Sequence, residues 1–539
     1  MEAFIQRFGP VLQFSYSCFD RIVINGYLPM FQNEANLVYF FRTICGVEQI
    51  SKEILSGRTD DYRGWVEGYA LNHGIPTQWA EAGVRKQDFL KPYRDRFLRK
   101  GEFGVYYILK SMEQGRTFRV SSSKPKTGDP HHRDVSRMQS RFTHYYFYLV
   151  DEVAGPMVVR IGTFLPFLAT FYLNGHNFIE RQLLTEGISY SKKDNLFVGV
   201  KDPARLQEIA DSLSPEVIAK RLNHWVFLLG PKFSRKERAR GLSALERFYA
   251  NQQIEYCRNF IFQREFPIRS LFERSCELSL YQLLPTRVVN FFGKRITRRF
   301  SGKLQSVMDR IDQGQHAFRF HWKSSLLKQY QKESNALRNE ALSNNLRQLG
   351  LRKSLKYLPE VRKKFAEATD LFADFQAESL SVHLEFDLFT RISKPAPMGK
   401  GKMAGIRLEQ ERIIRLLEMF LYSAGSFRQW TSKELVAAIT TAFKLRPDQY
   451  SVTQLRYDLR KLRAHGLLIR VKGKYAYQLT EKGNKVALMF VLLRKRVYGP
   501  ISGSLFVYKP NTKSHPSKLE RAYFQIDRSM DRLLTLLAA

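Results

Sequence analysis

The sequence predicts an α+β protein of several domains: a β-rich N-terminal region, a helical middle and a C-terminal winged helix-turn-helix. Three observations predict it. The chain has 539 residues, too many for one core. Residues 103–173 are runs of β-branched and aromatic residues broken by Gly and Pro. Residues 409–499 read as three helices, two short strands and a helix. The boundaries expected are 1–100 (an α/β segment), 101–200 (β-rich with one helix), 201–390 (mainly helical and basic), 391–405 (linker), 406–499 (winged helix) and 500–539 (a loose segment and a terminal amphipathic helix).

The first 45 residues read as a short buried element, the strand-like QFSYSCFDRIVINGYL and a helix, EANLVYFFRTICG, with Asp20 between two β-prone runs. Residues 51–100 look helical, interrupted by Gly74-Ile75-Pro76. Five strand-like segments follow: FGVYYILKSM, TFRVSSS, RFTHYYFYLVDE, GPMVVRIGTF and ATFYLN. Asp151 to Gly155 has the composition of a hairpin turn, and Asn174 is placed to cap GHNFIERQLLTEG. The loop SSSKPKTGDPHHRD, with Lys124, Lys126, His131 and His132, reads equally as a phosphate contact and as a solvated loop.

From 203 onward the pattern is helical, and Ser214-Pro215 gives a cap followed by proline at the first helical position. HAFRFHWK, at 316–323, alternates like a strand, with Phe318, Phe320 and Trp322 on one face and Arg319, His321 and Lys323 on the other. A long charged helical region then runs to about 380. RISKPAPMGKGKMAG has the composition of a linker.

In the C-terminal unit, Thr431 with Glu434 and Ser451 with Gln454 have capping-box spacing, and Gly466 is placed as a C-terminal cap. The third helix carries Val452, Leu455, Leu459 and Leu462 on one face and Thr453, Arg456, Arg460 and Arg463 on another. An arginine face of this kind fits the DNA major groove, and Lys472 and Lys474 on the wing fit phosphates. The plainer alternative is a solvated arginine face. This stretch resembles the winged-helix domain of MarR-type regulators in fold pattern, which leaves the ligand open.

The formal charge is +36, an excess that a polyanion would neutralise, so nucleic acid is the expected partner and an anionic membrane surface the second choice. Two basic clusters add to the argument: Lys232, Arg235, Lys236, Arg238 and Arg240, and Lys294, Arg295, Arg298, Arg299 and Lys303. With Arg319 and Lys323 they extend a phosphate-binding track. The four cysteines (Cys18, Cys45, Cys257, Cys276) are widely spaced, form no Cys-x-x-Cys pair and fit a reducing cytoplasm. The N-terminus lacks the form of a signal peptide, and no apolar run reaches the ~18 to 20 residues of a membrane span.

FDRIVINGYL, HYYFYLVDEVAGPM, PFLATFYLNGHNFIERQL, FERSCEL, and KQYQK followed by LRNEALSNN together resemble a widespread prokaryotic family whose members are often described as MarR-like. The resemblance implies an association with mobile elements and an architecture. It transfers no catalytic residue.

No phosphate-binding loop, dinucleotide fingerprint or hydrolase elbow occurs. His131-His132 is an adjacent pair, and His316 and His321 fall on opposite strand faces, so no metal site and no cofactor are expected from spacing. A Mg²⁺-dependent nuclease would draw carboxylates from distant segments, for which Asp20, Asp151 (or its neighbour Glu152) and Glu340 are the candidates. Each has a plainer role: Asp151 in a turn, Glu340 paired with Arg338 or a lysine, Asp20 paired with Arg21. The leading expectation is a ribonucleoprotein or mobile-element protein that holds structured RNA on a basic body and engages duplex DNA with the winged helix. The alternatives are a metal-dependent nuclease or strand-transfer enzyme, and a MarR-like transcriptional regulator that dimerises through its terminal helix.

Overall fold

The computed structural model describes residues 1–81, 86–120, 135–263, 292, 304–311, 315–380, 391–399, 401–407, 410–424, 430–442, 450–470, 476–494 and 525. The first part of the chain supplies α1 (Glu2–Phe8), β1 (Leu12–Tyr27), α2 (Glu34–Tyr39, continued by a π-helical turn to Ile44), α3 (Lys52–Asn72), β2 (Thr77–Trp79) and α4 (Lys86–Arg99). Next come β3 (Gly104–Val120), β4 (Val135–Asp151), β5 (Gly155–Gly162), β6 (Ala169–Leu173), α5 (Gly175–Thr185), β7 (Tyr190–Lys193), β8 (Leu196–Val200), α6 (Pro203–Ser212), α7 (Pro215–Leu229) and α8 (Arg235–Gly241). Then follow β9 (Phe248–Phe262), β10 (Leu304–Ile311), β11 (Gln315–Trp322), β12 (Ser325–Glu333), β13 (Ala336–Ser343) and α9 (Leu358–Leu380).

Eleven of these strands form one mixed sheet in the order β10-β11-β12-β13-β9-β1-β6-β5-β4-β3-β2. Every pairing is antiparallel except β2 with β3. β1 lies in the interior of the sheet. It pairs along its length with β9 and, over Ile22–Gly26, with β6. Thus two meanders from distant parts of the sequence are joined through one strand.

The middle of the chain departs from expectation. Residues 201–390 are not mainly helical, because β9 to β13 all fall there. Nor is Asp20 between two strands; it lies inside β1. The local signals fare better. Asn174 accepts hydrogen bonds from the backbone N–H of His176 and Asn177 at the start of α5. Ser214 caps α7 with Pro215 at its first turn. Asp151 and Gly155 close the β4–β5 hairpin. Phe318, Phe320 and Trp322 are buried, as the alternation in β11 requires. α9 sends Val361, Phe365, Ala368, Phe372 and Ala373 into the core at helical spacing and packs on β9 and β13.

A second apolar core lies among the C-terminal elements. They are β14 (Ala396–Met398), β15 (Gly401–Met403), α10 (Glu411–Ala424), β16 (Trp430–Thr431), α11 (Ser432–Ala442), α12 (Val452–Ala464), β17 (Leu468–Arg470), β18 (Ala476–Leu479) and α13 (Glu481–Leu493). β16, β18 and β17 form a three-stranded antiparallel sheet. The expected linker at 391–405 is instead tied to this core. β14 and β15 pair as a hairpin, the Ile406 N–H donates to the Ile392 carbonyl at 2.7 Å, and both isoleucines are buried in the core. The Gly473-Lys474 turn, the SSSKPKTGDPHHRD loop and the terminal amphipathic helix lie outside the described residues, as does the Thr431 side chain. Among the described residues no helix is long and apolar enough to cross a membrane.

Candidate functional site

The strand register places Tyr16 and Cys18 of β1 opposite Asn259 and Cys257 of β9, and these opposite Arg338 and Glu340 of β13. Residues directly opposite share a face, so one side of the sheet carries a row of polar and sulfur-bearing side chains. Across the next strand the row continues with Tyr330 and Lys328 of β12. Asp20 joins it through an irregularity. Phe19 faces Tyr256 and Arg21 faces Glu255, so Asp20 is an extra residue with no partner of its own. Such a bulge re-aims a side chain, and bulges gather beside functional sites.

Two elements close over this face. The first turn of α5 brings His176, and the turn between β7 and β8 brings Asn195. α5 comes this near because residue 175 is glycine: a Cβ there would lie 2.1 Å from the Phe19 carbonyl oxygen. His176 is fully buried, and its Nδ1 is 3.1 Å from Asp20 Oδ1. Asn195 donates to the same oxygen at 2.7 Å. Cys18 Sγ lies alongside the imidazole, 3.5 Å from Nε2 and 3.7 Å from Nδ1; Cys257 Sγ is 3.9 Å from Nε2, and the two sulfurs are 3.8 Å apart. Asn259 Nδ2 approaches Cys257 Sγ at 3.3 Å.

Arg338 connects this buried group to a less enclosed rim. Its Nε donates to Asn259 Oδ1 at 2.7 Å and an Nη group donates to the Asn195 carbonyl. Its Nη1 lies 3.8 Å from Asp20 Oδ2 and 3.6 Å from Glu340 Oε1, and has no hydrogen-bond partner among the described residues. Glu340 also accepts from Lys328 at 3.0 Å and from the Tyr330 hydroxyl at 2.5 Å.

The electrostatics follow from burial and pairing. Burial works to raise the Asp20 carboxyl, but hydrogen bonding and charge from His176, with Arg338, hold it well below the usual carboxylate range. Burial works to lower His176, and the Cys257 thiolate and Asp20 outweigh it, so the imidazole is raised. The two thiols divide. Burial and its neighbour push Cys18 up, whereas Cys18, Arg338 and His176 bring Cys257 down against the same burial. Without an ion the group therefore favours a thiolate, an imidazolium and a carboxylate in one dry place.

Of the three carboxylates expected from sequence, two belong here. Asp20 and Glu340 both face Arg338, with Arg338 Nη1 within 4 Å of each. Asp20 is not paired with Arg21, which is exposed and lies over the Tyr172 ring. Asp151 has a different role. It is fully buried and accepts from the backbone of Val153 and Ala154, from Arg221 Nε at 2.8 Å and from Trp225 Nε1 at 2.6 Å. It anchors a hairpin to α7 and has no acceptor capacity to spare. Glu152 sits beside it, within 3.6 Å of Arg221.

The cationic candidates also separate. On α12, Thr453, Arg456, Arg460 and Arg463 are all exposed, while Leu455, Leu459 and Leu462 are buried; Val452, expected on the apolar face, is exposed instead. Ser451 and Gln454 form the expected capping box, and Gly466 takes a left-handed conformation after the helix (φ +70°). Arg235 and Lys236 are exposed at the start of α8. Lys232 instead donates to the Phe227 and Leu228 carbonyls at the end of α7, over the Trp65 ring. Arg238 bonds the Phe233 carbonyl and Arg240 the Ile44 carbonyl, so both serve the fold as well as the surface. Arg319 and Lys323 are half-buried on β11 and just beyond it. Lys294, Arg295, Arg298, Arg299, Lys303, Lys472 and Lys474 lie outside the described residues.

The absence of metal motifs argued from spacing does not extend to the fold. Among the described residues, Cys18, His176 and Cys257, from three distant elements, are a group whose ligand atoms converge. The signal missed is the pairing of β1 with β9, which sets the two cysteines opposite each other. Searches against protein-family models, curated proteins and solved structures found no match for the chain.

Proposed function

We propose that this is a nucleic-acid-binding protein whose C-terminal unit is a winged helix, with α12 as the helix that enters the groove of a duplex. The observation that carries the reading is the division of α12. Its leucines lie in the second core, and Thr453, Arg456, Arg460 and Arg463 stand exposed at one helical spacing. Its buried polar residues are tied inward, Asp458 to Arg412 at 2.9 Å and Lys461 to Gln410 at 2.8 Å, so the exposed arginines form a separate, outward stripe. Arginine on such a face suits guanine edges and phosphates. The net charge of +36 supports a polyanionic partner for the rest of the chain, and a structured RNA held on the body would make a ribonucleoprotein with a second grip on duplex.

The test is direct. Arg456→Ala and Arg460→Ala should each weaken duplex binding by roughly 1 to 3 kcal/mol, measured by fluorescence anisotropy at one fixed salt concentration. An unchanged affinity in the double variant would remove α12 from the interface. Sequencing the nucleic acid that copurifies with the full chain tests the ribonucleoprotein reading: one discrete RNA supports it, and random host nucleic acid or none counts against it.

A further inference from the structure

We propose that Cys18 Sγ, Cys257 Sγ and His176 Nε2 form a site for a borderline-soft divalent ion, zinc in the first instance, with Asp20 orienting the imidazole through Nδ1. The argument begins with distances. In a tetrahedral site, Zn–S bonds of about 2.3 Å and Zn–N bonds of about 2.0 to 2.1 Å separate two sulfurs by roughly 3.8 Å and a sulfur from a nitrogen by roughly 3.5 Å. Here the sulfurs are 3.8 Å apart, and Nε2 is 3.5 and 3.9 Å from them. Three edges of a zinc tetrahedron are thus already laid out.

The surroundings make the same choice. A ligating histidine needs one nitrogen free and the other fixed by an acceptor. Asp20 Oδ1, 3.1 Å from Nδ1, accepts a hydrogen bond from that nitrogen and leaves Nε2, 3.5 and 3.9 Å from the two sulfurs, as the nitrogen for the ion; Cys18 Sγ is also 3.7 Å from Nδ1, so the ring has to turn to aim Nε2 at an ion between the sulfurs. Asn195 in turn fixes the carboxylate, and Asn259 supplies an N–H to Cys257 Sγ. Thiolate with imidazole selects zinc, or copper(I) and iron of the same softness, over magnesium or calcium. The charges balance as well. Two thiolates and Asp20 carry three negative charges, and a divalent ion with Arg338 carries three positive ones. A fully buried cluster needs that neutrality.

Among the described residues no fourth His, Cys, Asp or Glu joins the group. Three protein ligands with an open corner is the pattern of a site that binds solvent or an anion on the metal. Arg338 Nη1, buried and without a hydrogen-bond acceptor, is a donor beside this site for such an oxygen.

The full chain, purified under reducing conditions without chelator, should carry a single equivalent of metal by mass spectrometry, and Cys257→Ser and Cys18→Ser should lose it. Replacement by Co²⁺ should give thiolate-to-cobalt charge-transfer absorption and the intense visible bands of tetrahedral cobalt. Asp20→Asn keeps every ligand and should lower zinc affinity 10- to 100-fold in chelator competition, as loss of an outer-shell partner does. Cys45→Ser, at a cysteine bonded to Glu237 and Arg58 elsewhere, should leave the metal content unchanged. If the cysteine variants fail to fold, the cobalt spectrum of the native chain and the Asp20→Asn affinity still decide. A native chain with both thiols shown reduced that takes up neither Zn²⁺ nor Co²⁺ overturns the proposal. So does metal content that persists in the folded cysteine variants, and so does a Cys18–Cys257 disulfide in the protein as isolated under these conditions.

Discussion

Single side chains in this molecule carry unequal loads, and Asp151 carries one of the heaviest. It is a buried carboxylate satisfied by two backbone N–H groups, a guanidinium and an indole. Removing it would take the acceptor from Arg221 Nε and from the buried Trp225 Nε1, and leave Arg221 only the exposed Glu152 at 3.6 Å. Asp151→Ala should therefore cost about 3 kcal/mol or more of stability, read from urea or guanidinium unfolding with an unchanged slope. Sequence correctly marked this residue as a turn former but gave no hint of its long-range partners. The same limit applies to the sulfur cluster. Cys18 and His176 are 158 residues apart and Cys18 and Cys257 are 239 apart, so no local spacing could relate them. What was legible was Asp20 as an unusual polar residue in an apolar run. Its cause, a bulge that turns it toward His176, appears only once the register is known.

At the scale of elements, local chemistry was readable and polar interiors were not. Caps at Asn174, Ser214 and Ser451 depend on residues a turn apart, and each forms as its sequence implies. β12 and β13 escaped notice because polar residues interrupt their buried apolar positions, which are Leu327, Ala336, Leu337 and Ala341. Ser325 bonds Ser343 at 3.0 Å, and Gln329 bonds Asn339 at 2.7 Å, all four being buried. An alternation of buried amide and hydroxyl with charged residues does not register as apolar periodicity. At the start of α5 the fit between elements is tight enough to test. Gly175→Ala must push its backbone away from β1, and should cost about 1 to 3 kcal/mol while moving His176 off the cysteines. Thermal unfolding and metal content would report the two effects separately. The 391–406 segment gives a third test. Its Pro- and Gly-rich composition suggested a tether, yet Ile392 and Ile406 are core residues. Ile406→Ala should destabilise the C-terminal unit by about 2 to 5 kcal/mol, visible as earlier loss of amide protection there than in the large sheet.

For the molecule as a whole, charge and topology set the behaviour. If the excess of cationic side chains serves a nucleic acid, affinity should fall linearly with the logarithm of salt concentration. The double variant Arg456→Ala, Arg460→Ala should reduce that slope by about 2, the two charges it removes, and an affinity that does not change with salt, or a slope that the variant leaves unchanged, would contradict the electrostatic reading. Topology has its own consequence. β1 is interior, yet its partner along its full length, β9, lies more than two hundred residues later, and β6 covers only its Ile22–Gly26 end. On the ribosome, at about 5 to 20 residues per second, the Leu12–Phe19 half of that strand waits roughly ten to fifty seconds for its neighbour. Throughout that interval a nascent chain displays Phe14, Tyr16 and Phe19 with an unpaired edge beside them. Such a polypeptide exposes, during translation, the kind of surface that aggregates unless holding chaperones cover it. Its yield in a heterologous host should track their supply and the pace of elongation more closely than the stability of the finished fold.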